Sequence, residues 1–202
     1  MLTRRVFMAT VALALVACAS STTLRDSWYD TAYRGGAFRK VVVLGVASDG
    51  AERRTFEDIT VSRLQAAGVD AVPSYRFLPE GGRVPEGRLD EAVRASGADA
   101  LWMSRVRSID RRTDVYQTMV PGSAMWGPGW YGMYTGWYPM TEVRQYDIAS
   151  VDTSVFDART RSLVWAGVSE TYEPRSVEKD APQFADVIIK ALRERGLLPA
   201  AK

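Results

Sequence analysis

The chain is predicted to fold as one α/β domain, a single mixed β-sheet with helices packed on it, in the order β-α-β-α-β-β-β-α. Three observations lead to that class. The run Phe38 to Val46 (FRKVVVLGV) is a continuous β-branched stretch, the pattern of a strand buried on both faces. Segments of helical period alternate with the first strands, as βαβ crossovers require. Two strands then follow in succession, over 143–156 and 162–171, with only Asp157-Ala158-Arg159-Thr160-Arg161 between them, which reads as a hairpin turn and an antiparallel extension of the sheet.

The elements follow in order. After the first strand, Ser48-Asp49-Gly50 breaks the chain, and Phe56, Ile59, Thr60, Leu64 and Ala67 fall at helical spacing over 51–67, stopped by Gly68. Val69 to Val72 is a short second strand closed by Pro73, and 74–85 is a Pro- and Gly-containing loop. A second helix fits 86–96, with Leu89, Ala92, Val93 and Ser96 on one face and Gly97 as its stop. Ala98 to Arg107 is the third strand, extending to Asp110 at most. The last helix is expected to start near Asp180, where Asp180 and Gln183 have the spacing of a capping box, with Phe184, Val187, Ile188, Ala191 and Leu192 facing inward and Gly196 at its end. Ahead of these elements, residues 24–37 read as a lead-in arm in which Trp28 is expected to be a packing anchor.

The 202 residues include no histidine and one cysteine. That removes the commonest general base and metal ligand, and leaves no internal disulfide or Cys-cluster metal site. No cofactor and no metal are expected. The carboxylates Asp147, Asp152, Asp157, Glu170 and Glu173 near the late hairpin could in principle pair for acid–base work, but they are interleaved with basic residues as on a solvated surface, so the protein is read as a non-enzyme with no catalytic residues. Gly35-Gly36 and Gly81-Gly82 lack the spacing of a nucleotide loop. Twenty-six basic against 24 acidic side chains give a formal charge of +2, too balanced for nucleic acid as a partner. The basic cluster Arg105, Arg107, Arg111, Arg112 alternates along a strand with Asp110 and Asp114 among it, the pattern of a solvated edge.

The single cysteine has a place that explains it. Arg4 and Arg5 precede an uncharged run from Val6 to Ala17, shorter than the roughly 20 residues that span a bilayer and of the length of a signal-peptide core. The run ends in Leu15-Val16-Ala17-Cys18, which resembles the lipobox of bacterial lipoproteins. The resemblance implies that residues 1–17 are a signal peptide, that Cys18 carries the acyl chains, and that 18–37 are a lipidated tether and arm ahead of a domain over 38–197. Several acyl chains anchor a protein stably where one is marginal. Ala19, rather than Asp, follows the cysteine, which in the sorting rule this resembles implies the outer membrane, with the domain facing the periplasm. Because Arg4 and Arg5 belong to the signal, the mature chain is formally neutral.

The domain's landmarks carry a second resemblance. Val41-Val42-Val43-Leu44, the helix end Leu64-Gln65-Ala66-Ala67-Gly68, Ser96-Gly97-Ala98-Asp99-Ala100-Leu101, Val151 to Asp157 and Leu163-Val164-Trp165 are similar to LpoB-like and CsgG-like periplasmic domains, to the N-terminal domain of TolB, and to a widespread set of small bacterial envelope lipoproteins. The likeness spans roughly 38–196 and consists of fold markers. It implies architecture; LpoB-like proteins activate cell-wall synthases and CsgG-like ones form secretion pores, and no motif carries either role to this chain. Those relatives usually place glycine after the turn threonine, where a left-handed residue is needed; here Arg161 stands there, which implies a turn of different build.

Residues 119–140 (MVPGSAMWGPGWYGMYTGWYPM) hold Trp126, Trp130, Tyr131, Tyr134, Trp137 and Tyr138, five glycines and no charge. They are read as an inserted loop projecting from the sheet edge. Exposed aromatics at this density point to an interaction surface, and Trp, Tyr and Met are enriched in interface cores, so these six aromatics are the candidate partner-binding residues. The same composition suits contact with lipid, cover for the domain's own core, or one hairpin of an oligomeric barrel, although its Gly and Pro content breaks the alternation over about 9–11 residues that a spanning strand needs. The reading that results is a lipid-anchored binding or scaffolding lipoprotein that supports envelope assembly through protein–protein contacts; its alternative is a structural subunit of an oligomeric export or envelope complex.

Overall fold

A computed structural model describes residues 21–47, 49–78, 86–121 and 137–200. The strands are β1 (Ser21–Tyr29), β2 (Lys40–Val46), β3 (Asp70–Pro73), β4 (Ala100–Pro121), β5 (Trp137–Asp157) and β6 (Leu163–Tyr172); the helices are α1 (Gly50–Ala66), α2 (Glu86–Ser96) and α3 (Val177–Glu194). The strands form one sheet in the order β1-β6-β5-β4-β2-β3. β2 pairs in parallel with β3 and β4, and the β4, β5, β6, β1 side is antiparallel. The mixed α/β class is as expected.

The two crossovers decide which face each helix covers. The chain moves outward from β2 to β3 through α1, then back past β2 to β4 through α2. Right-handed crossovers in opposite directions put the two helices on opposite faces. One core therefore holds Val41, Val43, Trp102, Val155 and Trp165 against Val61 and Leu64 of α1 and Phe184, Ile188 and Leu192 of α3. The other holds Val42, Leu44 and Leu101 against Ala92, with Leu89 and Val93, of α2. This is why β2 reads as a continuous apolar run. A close approach sets one position: a Cβ on Gly167 would lie 2.3 Å from Trp165 Cη2, so only glycine lets the buried indole lie over β6.

Buried polar side chains of α1 tie it to the sheet. Glu57 is fully buried; its Oε1 accepts from Gly45 N (3.0 Å), Arg53 Nε (2.9 Å) and Ser74 Oγ (2.7 Å), and its Oε2 accepts from Tyr75 N (3.0 Å). A buried charge persists only when paired and hydrogen-bonded in this way.

Several expectations are corrected. Residues 21–29, read as tether and lead-in arm, form an edge strand in antiparallel register with β6, Ser21 opposite Tyr172 and Tyr29 opposite Trp165. A register shift between Leu24 and Asp26 resets the alternation, so Tyr29 rather than Trp28 packs on the core and Trp28 is 53% exposed. α3 begins at Val177, with Ser176 as N-cap, and Asp180 accepts from Arg175 N at 2.6 Å instead of forming a box with Gln183. Arg161 does take the left-handed conformation, φ 60°, and its N–H reaches Asp157 O at 2.8 Å. The turn after β5 is thus built as with glycine, and is held by Asp157 Oδ1 accepting from Arg159 N (2.9 Å) and Thr160 N (2.8 Å). Met119–Pro121 and Trp137–Met140, assigned to the inserted loop, are strand.

Candidate partner-binding surface

β4 and β5 outrun their neighbours. β2 accompanies β4 only as far as Arg105, and β6 accompanies β5 only from Ile148. Beyond those points β4 and β5 pair with each other alone, from Arg111 opposite Asp147 to Pro121 opposite Trp137. A bulge with Arg107 as the extra residue follows the point where β4 parts from β2.

The two faces of the hairpin differ, because alternate residues point to opposite sides of a strand. The face that continues from buried Trp102 and Val155 carries Val106, Ile109, Val115 and Val143, which are 59%, 64%, 63% and 58% exposed. Among the described residues this face carries one ion pair, Arg111 Nε to Asp147 Oδ1 at 3.0 Å, which also raises the Arg111 pKa. At the root of the hairpin this apolar stripe runs into a groove of about 440 Å³ whose lining includes Phe56, Val106, Ile109, Val151 and Phe184. The opposite face is polar and aromatic: Tyr116 donates to Asp114 at 3.0 Å, and Tyr146 lies 4.6 Å from Tyr172. Hydrogen bonding to Asp114 pushes the phenol pKa of both Tyr116 and Tyr146 up.

The structure distributes the residues singled out from sequence. Trp137 and Tyr138 open β5, opposite Pro121 and Val120. Trp126, Trp130, Tyr131 and Tyr134, and the lipidation residue Cys18, lie outside the described residues. The carboxylates of the late hairpin are held apart, each by its own partners: Asp147 by Arg111, Asp152 by Arg105 and Arg107, Glu170 by Arg25, Glu173 by Arg144, and Asp157 by its turn. Among the described residues, no group of three or more acidic or cysteine side chains could hold a metal ion, and no helix is long and apolar enough to cross a membrane. The sequence reading missed the apolar stripe on the hairpin. Its signal was alternation, with Val106, Ile109, Val115 and Val143 each flanked by polar residues, obscured by the charges between them.

No protein-family model matches the chain, and no curated protein matches it. Among solved structures, it is similar to the PelC dodecamer from Paraburkholderia phytofirmans, at 14% identity and a TM-score of 0.45, over 89% of this chain and 100% of that one. It is also similar to the lipoprotein GNA1162 from Neisseria meningitidis, at 13% identity and a TM-score of 0.40, over 77% and 96%. Likenesses this distant assign neither activity nor assembly to the chain.

Proposed function

We propose that the protein is a lipid-anchored envelope lipoprotein that works by binding and scaffolding. Cys18 carries its acyl chains, the domain faces the periplasm from the outer membrane, and the β4–β5 hairpin with Trp126, Trp130, Tyr131, Tyr134, Trp137 and Tyr138 engages a protein partner. Its work is contact, not catalysis. One observation carries the reading: Val115 and Val143 stand exposed on one face of a hairpin that has left the packed body of the sheet, and Val106 and Ile109 continue that face, exposed, at its root. An apolar stripe of this kind marks an interaction site, and alternate apolar side chains on a strand give specificity to a partner laid along it. Deleting 120–139 tests the proposal. Partner crosslinks should disappear while the domain stays folded; a folded deletion variant that keeps every crosslink would defeat it.

The open outer edges of both hairpin strands favour a second reading, a structural subunit in which hairpins of neighbouring copies pair edge to edge. Light scattering on the unlipidated mature chain separates the two: a monomer supports the adaptor, a stable ring-sized oligomer the subunit.

A further inference from the structure

On the sheet face opposite α1 and α3, α2 packs over β2 and β4 and reaches Phe156 at the end of β5. Farther along, towards β1, none of the described helices covers it, and there a concavity of about 440 Å³ opens around Trp28, Asp26, Arg105, Arg107, Asp152 and Ser154. That volume lies within the range of small-ligand sites. Trp28 is opposite Ala166, and Ala166 is opposite Ser154, so small side chains floor the site beside the half-exposed indole. Asp152 receives two guanidinium groups, Arg107 Nη2 on Oδ1 at 2.8 Å and Arg105 Nη2 on Oδ2 at 3.3 Å. Both arginines remain more than half exposed, at 66% and 56%. Asp26 has no ion pair among the described residues.

From this arrangement we propose that the Trp28 face is a binding site for a neutral glycan chain. The chemistry of a pyranose ring matches it on two counts. One ring face is a flat array of C–H groups that packs on an indole. Its hydroxyls each donate and accept, so they need donors and acceptors side by side, and Arg105 and Arg107 next to Asp152, Asp26 and Ser154 supply both. Two arginines against two aspartates leave the site formally neutral, which selects against an acidic sugar. A protein partner fits less well, since interface cores are depleted of charged residues and this floor is ringed by four of them. Arginine also presents its donors as a rigid planar fork suited to vicinal oxygens.

The test is calorimetric titration of the detergent-solubilised full chain with chitotetraose and maltotetraose, and with tetragalacturonate as the acidic comparison. At least one neutral oligosaccharide should bind, Trp28→Ala should weaken it about tenfold or more, and Trp28→Phe should recover part of the loss. Arg107→Ala should weaken the same sugar without unfolding the domain. Failure of both neutral sugars to bind, binding only of the acidic one, or binding indifferent to Trp28→Ala overturns the proposal. So does loss of hairpin protein crosslinks in Trp28→Ala without loss of sugar binding, which would make this face part of the protein interface. Because the site lies on the other side of the sheet from the hairpin's apolar stripe, deleting 120–139 should leave sugar binding intact, and either proposal can fail alone.

Discussion

Val115 and Val143 stand directly opposite each other on the free hairpin, 63% and 58% exposed, with no layer of the domain over them. A cross-strand valine pair normally forms part of a buried sheet face. Here it is presented to the surroundings. Replacing both with aspartate removes that surface and places like charges opposite each other, at a cost on the order of 1 kcal/mol confined to the hairpin. Partner crosslinking should be lost while the thermal transition of the domain moves by only a few degrees.

The anchor is tested at Cys18. Cys18→Ser should abolish acylation and release the protein from the membrane fraction, since the remaining contacts lack the acyl chains that make anchoring stable. Mass spectrometry of the mature N-terminus and membrane fractionation read the outcome. A Cys18→Ser protein that still carries acyl chains would refute this assignment.

The Glu57 network predicts a large stability effect far from the hairpin. Glu57→Ala leaves Arg53 buried without its carboxylate and strips Gly45 N, Ser74 Oγ and Tyr75 N of their acceptor. Removing one partner of a buried pair costs about 3–5 kcal/mol. Urea unfolding should show a loss of that order. The double variant Arg53→Met with Glu57→Leu should lose much less than the two single losses added, because no charge is left unpaired.

At Arg161 the backbone has φ 60°, and the side chain pairs with Asp90 at 2.9 Å. A left-handed non-glycine residue costs about 1–2 kcal/mol; an exposed ion pair returns up to about 1 kcal/mol. Arg161→Gly should therefore be close to neutral, and Arg161→Val, β-branched at positive φ, should destabilise by more than about 1 kcal/mol. Equal stabilities for the two variants would contradict the turn geometry described.

Tyr33 and Asp157 make stability depend on pH at both ends. The Tyr33 phenol donates to Asp157 Oδ2 at 3.2 Å. Burial, with the Asp157 charge and hydrogen bond behind it, pushes the Tyr33 pKa up from 10.0 to about 12. A raised folded-state pKa contributes stability that is complete below pH 10 and lost as the pH climbs towards about 12. For Asp157, burial alone would raise the pKa, but hydrogen bonds from Thr160, Arg159 and Tyr33 outweigh it and hold the pKa below the usual carboxylate value. That contribution is present above the ordinary carboxylate range and is lost as the pH falls through the lowered value. Tyr33→Phe should remove the alkaline limb that belongs to this bond, and ultraviolet titration should lose one late-ionising tyrosine.

What the sequence made legible follows burial. β2, α1, α2 and β6 lie against packed layers, so apolar spacing marked them within a residue or two. Gly68 and Gly97, marked as helix stops, take φ +79° and +63°. The ends of β4 and β5 were underestimated because the charges of Arg111, Arg112, Asp114 and Glu142 leave no apolar run there; a hairpin with solvent on both faces is held by register and cross-strand pairs and does not need an apolar pattern. β1 was hidden for a related reason. It is an edge strand whose alternation slips at Arg25, which exchanged the roles of Trp28 and Tyr29. The aromatic cluster over 119–140 was visible as composition. The stripe of Val106, Ile109, Val115 and Val143 that leads towards it needed the β4–β5 register.

The proposed function places a protein partner against the apolar face of the β4–β5 hairpin. Site-specific photo-crosslinking in intact cells, with the reactive group at position 115 or 143 on that face and at Glu142 on the other, tests it most directly. A discrete adduct is expected from positions 115 and 143, absent from position 142 and lost when 120–139 are deleted. No adduct from positions 115 and 143, or the same adducts from all three positions, would contradict it.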